Sequence, residues 1–271
     1  QLDYFRCMFI DRDEHLWIGT NQGAYVMNPS DQNIRFFSLE KFGTTARLFP
    51  GRIAYNDQQN EIYLAHSNDS LAQRLYKIPL GPDHESDATF IPTPFPIHGL
   101  AFDHKKRLWA GGNGCFYLFD PQSQKFSQTN LISSSDPPLP WLFNMKSNEE
   151  GWIGALGYAE FIWFHEDAQK VMRIRMNDLP GSVYAKSFDN DFDGFTFGKN
   201  GTAYLFANEV FVLDLKTGET RNLICDPKVN PNLMQFQYAG EDAHGDVWMS
   251  SFELLGRFQR MEDSLRMLDM F

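Results

Sequence analysis

The sequence predicts an all-β fold in which one four-stranded antiparallel unit is used six times. Three observations carry that prediction. The string Ile10-Asp11-Arg12-Asp13-Glu14-His15-Leu16-Trp17-Ile18-Gly19-Thr20 is echoed in degraded form around Tyr63, Trp109, Trp152, Tyr204 and Trp248. These aromatic anchors are 46, 46, 43, 52 and 44 residues apart, and a period of roughly 40 to 50 residues marks a propeller or an array of like units. Between them run short segments rich in aromatic and β-branched residues, cut by Gly, Pro, Asn and Asp, which is how strands and tight turns are written.

Within each unit the elements follow one order. An apolar strand comes first, such as Cys7-Met8-Phe9-Ile10 or His98-Gly99-Leu100-Ala101-Phe102. A reversal follows, opened by Asp11, Asp57, Asp103 or Asp242. A short carboxylate there can accept its own chain's amide two residues on, so these acids read as turn-formers. The anchor strand is next, and its aromatic is expected to pack between neighbouring sheets. A third strand succeeds it: Gly23 to Met27, Cys115 to Phe119, or Glu209 to Leu213. A polar turn, Asn28-Pro29-Ser30-Asp31, Asp120-Pro121-Gln122-Ser123 or Asp214 to Gly218, leads to a short edge strand such as Ile34 to Phe37 or Lys125 to Ser127. Four such strands make an antiparallel meander, the blade of a β-propeller. The units are expected at about 4–40, 52–92, 97–129, 141–176, 183–224 and 235–271, within a single domain spanning 1–271.

Composition is consistent with this. Of 271 residues 42% are hydrophobic and 15% aromatic, with 25 Phe, which suits flat apolar faces stacked on one another. The net charge of −11 repels phosphate backbones and anionic bilayers, so no nucleic-acid partner is expected. The densest basic run, Lys105-Lys106-Arg107, falls at a turn and reads as solvated. Cys7, Cys115 and Cys225 have no paired spacing, which argues against a zinc knuckle or a disulfide framework, and the two on strands read as small buried thiols. No run of about 18 apolar residues occurs, so this segment is not expected to enter a membrane.

The motif Asp-x-x-Gly-x-Leu-Trp-Ile-Gly-Thr-x-x-Gly resembles the two-component regulator propeller repeat. The match is carried by Trp17-Ile18-Gly19-Thr20 with Gly23, by Trp109-Ala110-Gly111-Gly112 with Gly114, by Trp152-Ile153-Gly154, and by the pairs Asn28-Pro29 and Asp120-Pro121. It is weaker where Tyr63 and Tyr204 replace Trp. The resemblance implies the periplasmic sensor region of a bacterial hybrid two-component system histidine kinase. In such sensors seven-bladed propellers precede a membrane helix, a kinase and a regulator. Six units are visible here and each holds four strands, so the chain reads as part of a larger sensor or as a propeller that kept the repeat.

In such a meander the blade-to-blade crossings share one face with the second-to-third turns, and here those crossings differ widely in length. Variable loops on a rigid scaffold are where binding usually resides. Arg47, Arg52, His98, Trp141, Tyr158, Tyr184 and Gln235 lie on or beside that face and combine aromatic surfaces with fixed donors. Such a mixture suits a small polar ring compound, an oligosaccharide above all, held by several blades or by two protomers of a homodimer. Asp189, Asp191 and Asp193, followed by Gly194, have the opening of a calcium loop but lack the glutamate at its twelfth position. Calcium is therefore the one candidate cofactor. No nucleophile elbow, paired-His zinc motif or phosphate loop occurs, so no catalytic residue is assigned. The runner-up is a metal-dependent, lactonase-like propeller hydrolase or lyase, for which the inner strands offer Arg6, Asn56, His98, Asn144 and Gln237. A protein-interaction scaffold is the third reading.

Overall fold

The computed structural model describes residues 5–10, 16–20, 23–28, 33–38, 52–66, 74–79, 89–132, 137–168, 170–180, 192, 194–206, 209–225, 238–241, 244–250, 255–261 and 264–270. Two compact units divide the chain, Gln1–Lys146 and Ser147–Phe271. Every regular element among the described residues is a strand, apart from one 3₁₀ turn at Met176–Asp178. In the first unit, β1 (Phe5–Ile10), β2 (Leu16–Thr20), β3 (Gly23–Asn28) and β4 (Asn33–Ser38) form one antiparallel sheet in chain order. A second sheet follows, made of β5 (Ile53–Asn56), β6 (Glu61–His66), β7 (Arg74–Pro79) and β8 (Thr89–Pro92). The third is β9 (Gly99–Phe102), β10 (Leu108–Gly111), β11 (Phe116–Asp120) and β12 (Lys125–Gln128). Strand β5 lies beside β9, so the first strands of the second and third sheets are neighbours.

The fourth sheet opens on β13 (Phe143–Ser147) and continues through β14 (Trp152–Gly157), β15 (Glu160–His165) and β16 (Met172–Arg175). Two further meanders occupy the second unit. They are β17 (Gly194–Phe197), β18 (Thr202–Phe206), β19 (Val210–Asp214) and β20 (Thr220–Cys225), then β21 (Tyr238–Glu241), β22 (Val247–Ser250), β23 (Leu255–Arg260) and β24 (Ser264–Met270). The predicted all-β class, with its recurring four-stranded antiparallel sheets, is what the structure shows.

Anchor positions explain the burial. Trp17, Tyr63, Trp109, Trp152, Tyr204 and Trp248 each fall on the second strand of their sheet. Tyr63, Trp109, Trp152 and Tyr204 are buried, and β10 and β14 have no exposed residue, whereas the outer strands β8 and β12 are largely exposed. Tyr63 meets Phe102 and Phe119 of the next sheet edge-on, at centroid distances of 5.5 and 6.2 Å. Phe161 and Phe195 meet at a tilt of 53° between the fourth and fifth sheets, with centroids 4.8 Å apart. Edge-on ring pairs bury area and satisfy the ring quadrupole together, which is why a repeat of aromatics holds sheets face to face.

The turn acids behave less uniformly than the repeat suggests. Asp103 is buried; its Oδ1 accepts the Arg107 amide at 2.8 Å, and its Oδ2 accepts the Trp109 indole N–H at 2.8 Å and Arg107 Nε at 2.6 Å. It therefore caps an amide four residues on rather than two. At the second sheet the capping residue is Asn56, whose Oδ1 accepts the amides of Gln58 and Gln59, while Asp57 reaches across to Lys106 Nζ at 2.7 Å. Asn148 has the capping place in the fourth, accepting from Glu150 and Trp152. Lys106 and Arg107 are thus ion-paired and partly buried, not a solvated run, and only Lys105 and its neighbour His104 are exposed. Asp11 and Asp242 lie outside the described residues.

The third-to-fourth turns follow the expected chemistry. Asp120 accepts Gln122 N and the Ser123 hydroxyl, and Asp214 accepts Lys216 N and Thr217 N. These bonds favour the ionised form; for Asp214 the Thr217 amide is the leading cause of a lowered pKa. A carboxyl with a depressed folded pKa contributes stability that is present above its unfolded value, about pH 4, and is lost as pH falls through the folded one. Asp214→Asn should therefore be slightly less stable than the parent at pH 7, and the gap should close on acidification below about pH 4. Paired urea titrations at pH 7 and at low pH would show it, and a gap that persists in acid would refute the assignment.

Two features depart from the reading of sequence alone. Outer strands β20 and β24 pair in parallel, Ile224 with Ser264 and Cys225 with Leu265, so the fifth and sixth sheets run together as eight strands. Their shared core includes Tyr204, Phe206, Val212, Met249 and Phe258. Cys115 stands one residue ahead of β11, half-buried, with Gln128 Nε2 at 3.2 Å from its Sγ, rather than as a buried strand thiol.

Candidate functional site

The first unit brings three of the predicted binding residues together. Arg52 immediately precedes β5, His98 immediately precedes β9, and Trp141 comes two residues before β13, so each stands where a crossing enters the first strand of a sheet. Arg52 is buried, and its Nη2 lies 3.1 Å from Nδ1 of His98. The His98 ring stacks on the Trp141 indole with centroids 5.1 Å apart and planes within 6°. Trp141 is nevertheless 53% exposed. A buried cation, a half-buried imidazole and an exposed indole thus form one continuous series from interior to surface.

Backbone contacts hold each member in place. Arg52 O accepts Ala65 N at 2.8 Å, at the end of β6, and His98 N donates to Gly111 O at 2.8 Å, at the end of β10. Trp141 forms an antiparallel bridge with Asn113, and Leu142 N donates to Gly112 O. The Gly111-Gly112-Asn113-Gly114 turn therefore lies between the two crossings. A Cβ at Gly112 would stand 2.9 Å from the Phe95 ring and 3.2 Å from Pro96 O. Gly114 has φ +71°, and a Cβ there would be 2.8 Å from Leu139 O. Only glycine permits both the conformation and the approach. On the 93–98 side, Thr93 Oγ1 donates to Phe95 O, and Phe95 stacks on Tyr117, whose phenol is raised by burial and then by Cys115.

Sequence reasoning missed Asn113, Gly112 and Phe95. Gly112 and Gly114 stand out in the sequence as marks of the repeat, and two glycines after an anchor strand also signal a tight backbone approach. Tyr158 belongs to the second unit, 57% exposed at the tip of the β14–β15 turn. Beside that turn Glu160 accepts from both Arg173 and Arg175. Arg47, Tyr184, Gln235 and the acidic trio Asp189, Asp191 and Asp193 lie outside the described residues. So does Gln237, and no side chain of the first sheet, Arg6 included, is described. Of the inner-strand groups considered for a metal, Asn56 is engaged in its own turn and His98 by Arg52. Among the described residues no three His, Cys, Asp or Glu side chains cluster as metal ligands.

The arrangement sets a flat apolar surface beside fixed polar groups. Its exposed indole offers an apolar face, and the groups behind it are rigidly held, which is how a pre-formed site limits the ordering cost of association.

Residues 1–22 match the family model for the two component regulator propeller. No curated protein sequence matches the chain. Among solved structures the chain is similar to a virginiamycin B lyase from Staphylococcus aureus, crystallised as a catalytically inactive variant with quinupristin. Identity is 11%, TM-score 0.70, with 98% of this chain and 84% of that one covered. The WD40 repeats of RRP9 align at 9% identity and TM-score 0.68, covering 100% and 81%. The extracellular domain of a protein described as a one component system from B. thetaiotaomicron aligns at 12% identity and TM-score 0.50; 98% of this chain is covered but only 43% of that domain. These likenesses show the fold, a β-propeller built of four-stranded blades. No helix among the described residues is long and apolar enough to cross a membrane.

Proposed function

We propose that this chain is the ligand-sensing part of a two-component regulatory system. On this reading it faces the periplasm and recognises a small molecule, an oligosaccharide by preference, that signals to a kinase module elsewhere in the system. The observation that carries the reading is the convergence of Arg52, His98 and Trp141 from three successive crossings onto an exposed indole. The repeat matched at residues 1–22 supports the regulatory setting. A sensor works by differential binding: a solute that contacts several crossings favours the arrangement in which those crossings are held together. The likeness to a lyase is one of fold and assigns no chemistry here, because the same scaffold hosts unrelated activities.

Titration calorimetry against a panel of neutral and acidic oligosaccharides tests this, with Trp141→Ala as the comparison. One panel member is expected to release heat with the parent protein. Removing an aromatic platform typically costs binding about 2 kcal/mol, or roughly thirtyfold in affinity. Because Trp141 is mostly exposed, the variant should keep its melting behaviour to within about 0.5 kcal/mol. Equal binding by parent and variant would remove Trp141 from the site, and no heat from any member would count against direct glycan sensing.

A further inference from the structure

We infer that Arg52 is a positioning residue, which holds His98 as a neutral imidazole protonated on Nε2 and through it sets the orientation of the Trp141 indole. The inference deepens the proposed function and rests on Trp141 being the group that meets the solute.

The chemistry of the contact leaves little choice. A guanidinium carries five N–H donors and no acceptor, so the imidazole nitrogen 3.1 Å from Arg52 Nη2 has to supply a lone pair. That nitrogen is Nδ1. A neutral imidazole whose Nδ1 accepts carries its proton on Nε2, and an imidazolium would turn an N–H toward the guanidinium. Arg52 is itself fixed, since its side chain is buried and its carbonyl accepts Ala65 N. His98 is held from two directions, by the guanidinium at its ring and by Gly111 O at its amide. The ring plane so defined is the plane on which Trp141 lies, within 6° and in the range of offset stacking.

The Arg52–His98 hydrogen bond and the His98–Trp141 ring contact therefore tie the entries to β5, β9 and β13. Stacking on His98 fixes the plane of the Trp141 indole and so lessens the rotamer freedom that binding would cost. With Arg52 in place, the indole is set before the solute arrives.

Two-bond nitrogen–proton correlation spectra of the 15N-labelled protein report which ring nitrogen of His98 is protonated. His98→Asn identifies the signal by its disappearance, and Trp141→Phe does the same for the indole N–H. In the parent, Nε2 is expected to carry the proton. A hydrogen bond to a charged donor biases the two tautomers by roughly tenfold or more. Arg52→Lys keeps a cationic donor and should keep that pattern. Arg52→Met should release it, raising the Nδ1–H tautomer several-fold and shifting the Trp141 indole signal while the signals of the other five tryptophans stay in place.

A parent protein with His98 protonated on Nδ1 overturns the inference. So does a folded Arg52→Met in which neither His98 nor Trp141 changes. Should Arg52→Met not fold, Arg52→Gln, which still presents an N–H, separates the need for a donor from the need for charge: retention of the parental tautomer supports the inference and an unbiased mixture opposes it. None of these spectra requires a ligand. Failure of the glycan titration would sink the sensor reading and leave the Arg52–His98 pair standing, and a scrambled tautomer in a protein that binds would do the reverse.

Discussion

Replacing Asp103 with alanine is expected to destabilise the protein by about 3 kcal/mol, the range found when one member of a buried, charged hydrogen-bonded group is removed. The carboxylate side chain is fully buried and satisfies three donors: the Arg107 amide, Arg107 Nε and the Trp109 indole. Alanine would leave the indole N–H in the interior without its acceptor. Arg107 is partly exposed and would recover some hydration, which holds the loss below the upper end of the range. Asp103→Asn keeps one acceptor oxygen and should fall between the two. The informative contrast is Asp57→Ala, one sheet earlier. There the carboxylate is 45% exposed and pairs with Lys106 at the surface, so the expected cost is under about 1 kcal/mol. Urea titrations of the three variants should show midpoints moving while the slope stays constant. Equal losses for Asp103→Ala and Asp57→Ala would mean that burial is not what distinguishes them.

That contrast also shows where the sequence is legible. Asp57 and Asp103 hold matching places in the repeat, and the pattern correctly puts both at a hairpin entrance after the first strand. It does not say which neighbour caps the turn, because Asn56 and Asp57 can each accept an amide and the choice depends on whether a cation from the next sheet is within reach. Lys106 settles it by drawing Asp57 away. The anchors were readable because each is a large aromatic at a fixed offset in an alternating strand, and alternation alone places it on a face. The parallel junction of β20 and β24 had no such signal. Edge strands carry no mark of the partner that will cover them, and two residues of parallel pairing leave no periodicity.

The candidate site was legible only as far as naming residues at the ends of crossings. Arg52, His98 and Trp141 could be named because each ends a crossing of irregular length. Their order from interior to surface could not be read, since it depends on three segments distant in the sequence closing on one another. Nor could the close approach at Gly112, which depends on the Phe95 ring meeting it from another crossing.

A second large effect lies at a tryptophan that the repeat does not mark. Trp163, on β15, is 1% exposed, stacks on Phe161 with centroids 5.4 Å apart, and donates its indole N–H to Leu215 O at 2.9 Å. Leu215 sits in the turn after β19, so one side chain both fills the space between the fourth and fifth sheets and caps a carbonyl of the latter. Trp163→Ala is expected to cost about 4 kcal/mol, combining lost transfer energy with the cavity left behind. A chain of this size loses about 2–4 °C per kcal/mol, so its melting temperature should fall by roughly 10 °C. Trp163→Phe keeps the stacking and most of the volume but not the N–H, and should cost about 1–2 kcal/mol. The difference between the two variants separates packing from the hydrogen bond. If phenylalanine were as damaging as alanine, the contact with Leu215 would carry the stability. Near-parental behaviour of the alanine variant would mean that the two sheets do not close on Trp163 at all.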